Sequence, residues 1–326
     1  MKSKNRAVRV LVIDGVFTRY DEEKACLKSI GATVSVCNPR DEDETIARAR
    51  RADAILVNLH PLTEKVISAL PSCRIISRYG VGYDNVDVAA ATRAGIWVAN
   101  VPDYCVEETA DHAIALFLSC VRRVTMKDRF IREGLWKKES AHPPSRLSRG
   151  RFGIIGYGRI GRTVHRKLAG FGFREFLVCD PYQKKAVMTK SGARPVTLAT
   201  LLKQADYVSV HVPLSGETRH LLGKNELSLL KEGAVLVNTS RGPVVDEKAL
   251  AAVLAKGRLA GVGLDVFETE PLPRPHPLLN FPEVVLTDHT AYYSRQSVIE
   301  LKTRTAENVV HWFHKGRPRM PVNSIG

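Results

Sequence analysis

The chain has no paired cysteines, no long hydrophobic run, no internal repeat and a shortage of acidic residues, and each absence excludes something. Six cysteines (Cys26, Cys37, Cys73, Cys105, Cys120 and Cys179) lie far apart with no Cys-x-x-Cys pair. Neither a zinc site nor a disulfide framework is therefore expected, no metal ligands are assigned, and reduced, mostly buried thiols are the expected state. No stretch approaches the roughly 18 uncharged apolar residues that a membrane-spanning helix needs. Near the start, Lys2, Lys4, Arg6 and Arg9 precede an apolar run, Val10 to Ile13, that ends at once at Asp14. That run is too short for a secretory signal core, so a cytoplasmic location is expected. Only 34 Asp and Glu stand against 49 Lys and Arg, a formal net charge of +15. Such a balance suits either nucleic acid or the attraction of anionic substrates and cofactors toward a cleft. The basic residues are dispersed, with only short clusters such as Arg48, Arg50, Arg51 and Arg146, Arg149, Arg151. No helix-turn-helix, zinc-finger or aromatic RNA-binding signature accompanies them, which favours a solvated basic surface over a nucleic-acid site.

What is present is an ordinary globular composition: 326 residues, 44% hydrophobic and 25% charged, enough for two packed domains and against disorder. Short apolar, β-rich runs (Val8 to Ile13, Thr33 to Cys37, Ala54 to Val57, Arg74 to Ser77, Ile96 to Ala99) alternate with helix-like stretches such as Asp21 to Ile30 and Glu42 to Arg50. Strand and helix in alternation predict a parallel sheet with helices on both faces. A long apolar helix follows from about Val106 to Val124. The polar stretch Lys137 to Arg149, with Pro143 and Pro144, reads as a linker. A second alternating series runs from Phe152 through Phe176 to Cys179, Tyr207 to Val210, Ala234 to Val237, Gly261 to Leu264 and Val284 to Leu286, and an amphipathic helix, Arg295 to Lys315, closes the chain.

Gly156-Tyr157-Gly158-Arg159-Ile160-Gly161 follows the run Phe152 to Ile155 and opens a helix-like stretch. In that context the first glycine permits a tight turn, the second admits a pyrophosphate to the backbone, and the third lets the helix pack on the strand. The helix N-terminus supplies N–H groups and partial positive charge. Asp180 ends the next strand, 19 residues after Gly161. An acidic side chain there accepts from the adenosine ribose hydroxyls and repels a 2′-phosphate, which favours NAD over NADP, although Lys184 and Lys185 stand nearby. Further on, Arg241, Glu270 and His289 each fall just beyond an apolar strand. Taken singly, each has an ordinary structural explanation: a surface ion pair, a loop charge before Pro271, a polar residue at a strand end. Together they suit hydride exchange with a 2-oxo acid. A histidine moves the proton in either direction, a neighbouring carboxylate stabilises imidazolium, and an arginine binds a carboxylate bidentately while polarising the adjacent carbonyl.

The words around these residues resemble the D-isomer-specific 2-hydroxyacid dehydrogenase family: Asn238-Thr239-Ser240-Arg241-Gly242, Gly263 to Pro271 (GLDVFETEP), Asp288-His289-Thr290-Ala291, Arg78 to Asp87 (RYGVGYDNVD), Asn100-Val101-Pro102 and His211-Val212-Pro213-Leu214. They cover nearly the whole chain in the family's order. The resemblance implies two Rossmann-like or flavodoxin-like doubly wound parallel-sheet domains with the active site in the cleft between them. Residues 1–100 would begin the substrate-binding domain, 101–290 would form the NAD-binding domain, and 291–326 would return a helix to the first. It implies Arg241, Glu270 and His289 as the catalytic set. Asp265 would face the nicotinamide carboxamide, and Thr109, His211, Val212, Pro213, Thr218, Thr239, Ser240, Arg241, His289 and Tyr292 would add cofactor contacts to those of Gly156, Gly158, Arg159, Ile160, Gly161 and Asp180. Arg78, Arg241 and the backbone N–H groups of Val81 and Gly82 would hold the substrate carboxylate. Asn58, Leu59, His60, Tyr104 and Tyr292 would shape the pocket. A homodimer formed through the cofactor domain is also implied.

Val106 to Asp111 and His289 to Ser294 are most similar to the branch that includes the C-terminal-binding transcriptional corepressors, which commonly carry Trp where Tyr292 stands. An NAD-sensing, corepressor-like scaffold is thus the alternative from another functional class. An enzyme is the expected reading, because no disordered tail for partner binding follows the fold. Glyoxylate and hydroxypyruvate are the default substrates, with a phosphoglycerate dehydrogenase-like activity as the enzymatic alternative, which the positive charge would also suit.

Overall fold

Strands and helices alternate along the chain in the computed structural model, which describes residues 7–136 and 142–325. Lys2, Lys4 and Arg6, and the first part of the stretch read as a linker (137–141), lie outside the described residues. The chain divides into two compact units, Met1–Tyr104 with Ser294–Gly326, and Cys105–Tyr293.

The first unit begins β1 (Arg9–Ile13), α1 (Asp21–Leu27), β2 (Thr33–Cys37), α2 (Glu42–Ala49), β3 (Ala54–Val57), α3 (Glu64–Ser68), β4 (Ile75–Arg78), α4 (Val88–Arg93) and β5 (Trp97–Ala99). Its sheet has the order β2-β1-β3-β4-β5, parallel throughout. β3 and β4 are buried along their whole length; β3 accordingly reads as a continuous apolar run and not as an alternating one, whereas β4 ends in the buried Ser77 and Arg78.

The second unit comprises α5 (Val106–Arg122), α6 (Val124–Arg132), β6 (Arg151–Ile155), α7 (Arg159–Leu168), β7 (Glu175–Cys179), α8 (Lys185–Lys190), β8 (Ala193–Pro195), α9 (Leu198–Gln204), β9 (Tyr207–Val210), α10 (Lys224–Ser228), β10 (Ala234–Asn238), α11 (Glu247–Leu254), β11 (Leu259–Leu264) and β12 (Val284–Leu286). The strand order is β12-β11-β10-β9-β6-β7-β8, again parallel. The order reverses between β6 and β9, and at such a switch point the carboxyl ends of the strands open a crevice for a ligand. One face of the sheet is sealed by α5, whose Phe117 meets Phe152 and Tyr207 edge-on at 5.1 Å each. Edge-to-face pairs of this kind add about 0.5–1.5 kcal/mol beyond area burial.

The stretch read as a linker does not separate the units. α5 already packs on β10 and β11, so the chain has entered the second unit by Cys105, and residues 142–149 form a loop inside it. Lys137 to Arg149 resembled a boundary only because it is polar and carries two prolines. The closing helix α12 (Arg295–Lys315) belongs to the first unit. A reciprocal Ser294–Ser297 capping box starts it and Gly316, at φ 75°, ends it. Lys302 anchors α12 to α1 through the Arg19 carbonyl at 2.8 Å and the Glu22 carboxylate at 2.5 Å. Cys73, Cys105 and Cys120 are buried, and Cys26, Cys37 and Cys179 are half-buried. No helix among the described residues is long and apolar enough to cross a membrane.

Candidate active site

Close packing enforces the glycine turn between β6 and α7. Gly156 sits at φ 90°, and a Cβ there would lie 2.6 Å from the His211 carbonyl oxygen. A Cβ on Gly161 would lie 2.1 Å from the Gly156 carbonyl oxygen. Gly158 differs: nothing lies within 4 Å of the Cβ position, and its φ of −74° suits any residue. The fold therefore requires Gly156 and Gly161, whereas the open space at Gly158 is a cradle for a ligand. The N–H groups of Gly158, Arg159 and Ile160 in the first turn of α7 have no hydrogen-bond partner among the described residues. Such a helix N-terminus suits a phosphate. Ile160 packs against the core while the Arg159 side chain is exposed.

Asp180, at the end of β7, accepts from the Tyr157 N–H at 2.7 Å and from the Tyr182 and Gln183 N–H groups at 2.8 and 3.2 Å. It thereby ties the glycine turn to the loop beyond β7. A carboxylate offers about four lone-pair sites, so a ribose hydroxyl still finds one open. A cavity of about 1170 Å³ opens beside it, lined by Gly156, Gly158 and Asp180 and, on the far side, by His211, Val212, Pro213 and Thr218. The Thr218 hydroxyl donates to the Pro213 carbonyl at 2.6 Å, shaping that far wall. Lys185, Met188, Val196 and Leu198 also line the cavity. Lys185 stood out in the sequence by its charge beside Asp180, whereas Met188, Val196 and Leu198 carry no motif and were passed over. Burial pushes the His211 imidazole down to about 4, so the ring is neutral near pH 7.

Around the end of β10 the buried Asn238 side chain shapes a turn. It accepts from the Ser240 N–H and Oγ at 3.0 and 2.7 Å and donates to the Arg241 carbonyl at 2.9 Å. A Cβ on Gly242 would lie 1.8 Å from the Phe267 carbonyl carbon. This contact presses the Arg241 loop against the loop that follows β11 and holds Glu270. Glu270 accepts from the Phe267 N–H at 2.9 Å through one oxygen and meets His289 Nδ1 at 2.6 Å through the other. Burial works to raise the Glu270 carboxyl. The hydrogen bond and charge of His289, the Phe267 N–H and the Arg241 charge outweigh it and hold the group below the usual carboxylate range. The structure thus brings Arg241, Glu270 and His289 together, from three loops beyond neighbouring strands.

His289 itself has φ 56°, a left-handed conformation unusual for a residue with a side chain. Asp265, fully buried after β11, holds it there. Its carbonyl accepts from the His289 N–H at 2.8 Å, and its carboxylate takes the Thr290 and Ala291 N–H groups at 2.9 Å each and the Thr287 hydroxyl at 2.6 Å. Burial works to raise that carboxyl, but the donors, with His112, hold it low. Of the remaining residues named as cofactor contacts, Thr109 is buried in the first turn of α5, and Tyr292 stacks edge-on with Tyr293 at 6.1 Å. The Thr239 hydroxyl is buried without a hydrogen-bond partner among the described residues. A buried orphan hydroxyl is costly unless something pairs with it, which fits a bound cofactor.

The named substrate residues of the first unit lie at the end of β4 and just beyond it. Arg78 is buried and donates to the Tyr79 carbonyl, so part of its capacity serves its own loop. The Val81 carbonyl accepts from Asn100 at 2.7 Å. The N–H groups of Val81 and Gly82 have no partner among the described residues.

A phosphate-binding glycine turn at the switch point of a parallel sheet, with a His–Glu pair and an arginine on loops of that same sheet, defines a dinucleotide-dependent oxidoreductase. The comparisons carry this further. The family model described as D-isomer specific 2-hydroxyacid dehydrogenase, NAD binding domain, matches residues 114–291. A glyoxylate reductase of Korarchaeum cryptofilum is 44% identical, over 88% of this chain and 86% of its own. The solved glyoxylate reductase of Paecilomyes thermophila has a TM-score of 0.87 at 31% identity, over 97% of this chain and 98% of its own. An NADPH-dependent glyoxylate/hydroxypyruvate reductase of Sinorhizobium meliloti, solved with NADP and malonate, has a TM-score of 0.86 at 33% identity, over 97% of both chains. The chain belongs to the D-isomer-specific 2-hydroxyacid dehydrogenase family and is an NAD-dependent oxidoreductase acting on the CH–OH group of 2-hydroxy acids.

Proposed function

We propose that this protein reduces a small 2-oxo acid, glyoxylate or hydroxypyruvate, with NADH, and oxidises the corresponding D-2-hydroxy acid in reverse. The observation that carries this reading is the 2.6 Å His289–Glu270 pair with Arg241 beside it. Bound NADH supplies the hydride. His289 gives the carbonyl oxygen its proton from Nε2, while Glu270 holds Nδ1 and balances the imidazolium charge. Arg241 pairs with the substrate carboxylate and polarises the carbonyl. Arg78 and the N–H groups of Val81 and Gly82 are the proposed partners of that carboxylate in the first unit. Asp180 favours NAD over NADP by repelling a 2′-phosphate.

A cytoplasmic homodimer is the proposed working form. α6 supports the pairing: none of its residues is buried, and Val124 and Ile131, one face apart by two turns, are 57% and 55% exposed, with Trp136 beyond at 81%. Exposed apolar side chains gathered on one helix are what a pairing surface would cover. The decisive experiment is an NADH-oxidation screen over a panel of 2-oxo acids that includes 3-phosphohydroxypyruvate. Turnover of glyoxylate or hydroxypyruvate supports the proposal, and preference for the phosphorylated acid overturns the substrate. Silence across the panel with tight NADH binding would favour a scaffold. Sedimentation of the wild type against Trp136→Glu tests the dimer.

A further inference from the structure

The sequence reading passed over His112, which lies on α5 with its ring three-quarters covered. Its Nε2 is 2.9 Å from the Thr287 hydroxyl and 3.4 Å from Asp265 Oδ1. The proton inventory of this triangle has one solution. Thr287 Oγ1 lies 2.6 Å from Asp265 Oδ1, the range of a hydroxyl donating to an ionised carboxylate. A carboxylate that already takes the Thr290 and Ala291 N–H groups and lies in a field that holds it ionised has no proton to give, so the single Thr287 hydrogen is spent on Asp265. The Thr287 oxygen can then only accept from His112, and Nε2 carries a hydrogen directed at both oxygens.

Everything that shapes the His289 turn converges on the same aspartate. The His289 N–H binds its carbonyl, and the next two N–H groups, of Thr290 and Ala291, bind its carboxylate. A non-glycine residue at φ 56° persists only when its surroundings over-determine it. We propose that His112 is a positioning residue: through Thr287 and Asp265 it fixes the turn that presents His289 to the substrate. The inference rests on the assignment of His289 as the proton donor. Its effect falls on turnover more than on affinity: Asp265 also borders the expected nicotinamide position, but the triangle leaves the glycine turn untouched, and a proton donor displaced by a fraction of an ångström loses rate.

The test compares His112→Gln, whose Nε2 can occupy the place of the imidazole Nε2–H, with His112→Met, which fills the space without a donor. For His112→Met a fall in kcat of about tenfold is expected, with KM for NADH and for the oxo acid and the thermal midpoint near wild type, and His112→Gln is expected to recover most of the loss. An unchanged kcat in His112→Met overturns the proposal, as does a loss shared equally by His112→Gln, or one that tracks a fall in thermal midpoint. In ¹⁵N-histidine-labelled wild type the His112 ring should carry its proton on Nε2, a readout independent of turnover. A bare Nε2 overturns the donor geometry even if the chain proves inactive on every oxo acid, an outcome that would instead sink the reading of His289.

Discussion

Two alanine substitutions three residues apart, at Gly158 and Gly161, should behave differently, because the glycines of the phosphate turn are required for different reasons. In Gly161→Ala the new Cβ would lie 2.1 Å from the Gly156 carbonyl oxygen. Ordinary carbon–oxygen contacts begin near 3.2 Å, so the start of α7 must retreat by roughly 1 Å, at an overpacking cost of about 1–3 kcal/mol. The same retreat carries the N–H groups of Gly158, Arg159 and Ile160 out of hydrogen-bond range of a pyrophosphate, since a bond of about 2.9 Å stretched to about 3.9 Å is no bond. Losing two charge-assisted bonds at about 1.5–3 kcal/mol each weakens NADH binding by roughly 10² to 10⁴-fold. In Gly158→Ala nothing lies within 4 Å of the new Cβ and φ is −74°. That variant should fold with wild-type stability and still lose NADH, because its methyl occupies the space of the phosphates. Thermal unfolding without ligand and NADH fluorescence titration separate the two outcomes. Gly158→Ala binding NADH within threefold of wild type would refute the cradle, and an unshifted midpoint in Gly161→Ala would refute the contact.

His289→Ala should lower turnover by the roughly 10² to 10⁴-fold typical of general acid–base catalysis, with NADH affinity kept; unchanged turnover of a 2-oxo acid removes His289 from the mechanism. Asp180→Asn removes the charge and keeps one acceptor oxygen, which can serve the Tyr182 and Gln183 N–H groups that share Oδ1, while the Tyr157 N–H loses its Oδ2 partner. The ratio of kcat/KM for NADH over NADPH should therefore fall about tenfold or more, and a wild-type enzyme that already prefers NADPH would contradict the assignment. His211 predicts a pH effect on stability. Its folded value of about 4 lies below the ordinary 6.5, so the unfolded chain takes up the proton first. Stability from this group is full above about pH 7 and is lost as pH falls from about 6.5 toward about 4, by about 3 kcal/mol in all. Denaturant unfolding of wild type and His211→Gln at pH 7.5 and 4.5 checks this; equal losses in both would exclude His211 as the source.

Much of the fold could be read from the residues because parallel strands covered on both faces are uninterrupted apolar runs. Ala54–Val57 and Ala234–Val237 are buried throughout and were visible as such. β8 (Ala193–Pro195) was not, since it is a three-residue strand at the sheet edge containing a proline. α6 was missed because the break before it rests on Arg123 at φ 56°, a conformation that arginine does not advertise. The polar stretch before β6 looked like a boundary, but its residues 142–149 lie inside the second unit, because where a domain ends depends on what α5 packs against.

The residue types of the proposed catalytic set and the glycine turn were determined by the sequence alone, since both are short words whose chemistry is carried by side-chain identity and spacing. Only the tertiary structure decided that Glu270 reaches His289 while Arg241 lowers its pKa, that Gly158 is open while Gly161 is jammed, and that His112 stands behind Asp265. These facts join residues up to 175 positions apart. Local spacing holds no record of such distances, which exist only once the strands have paired.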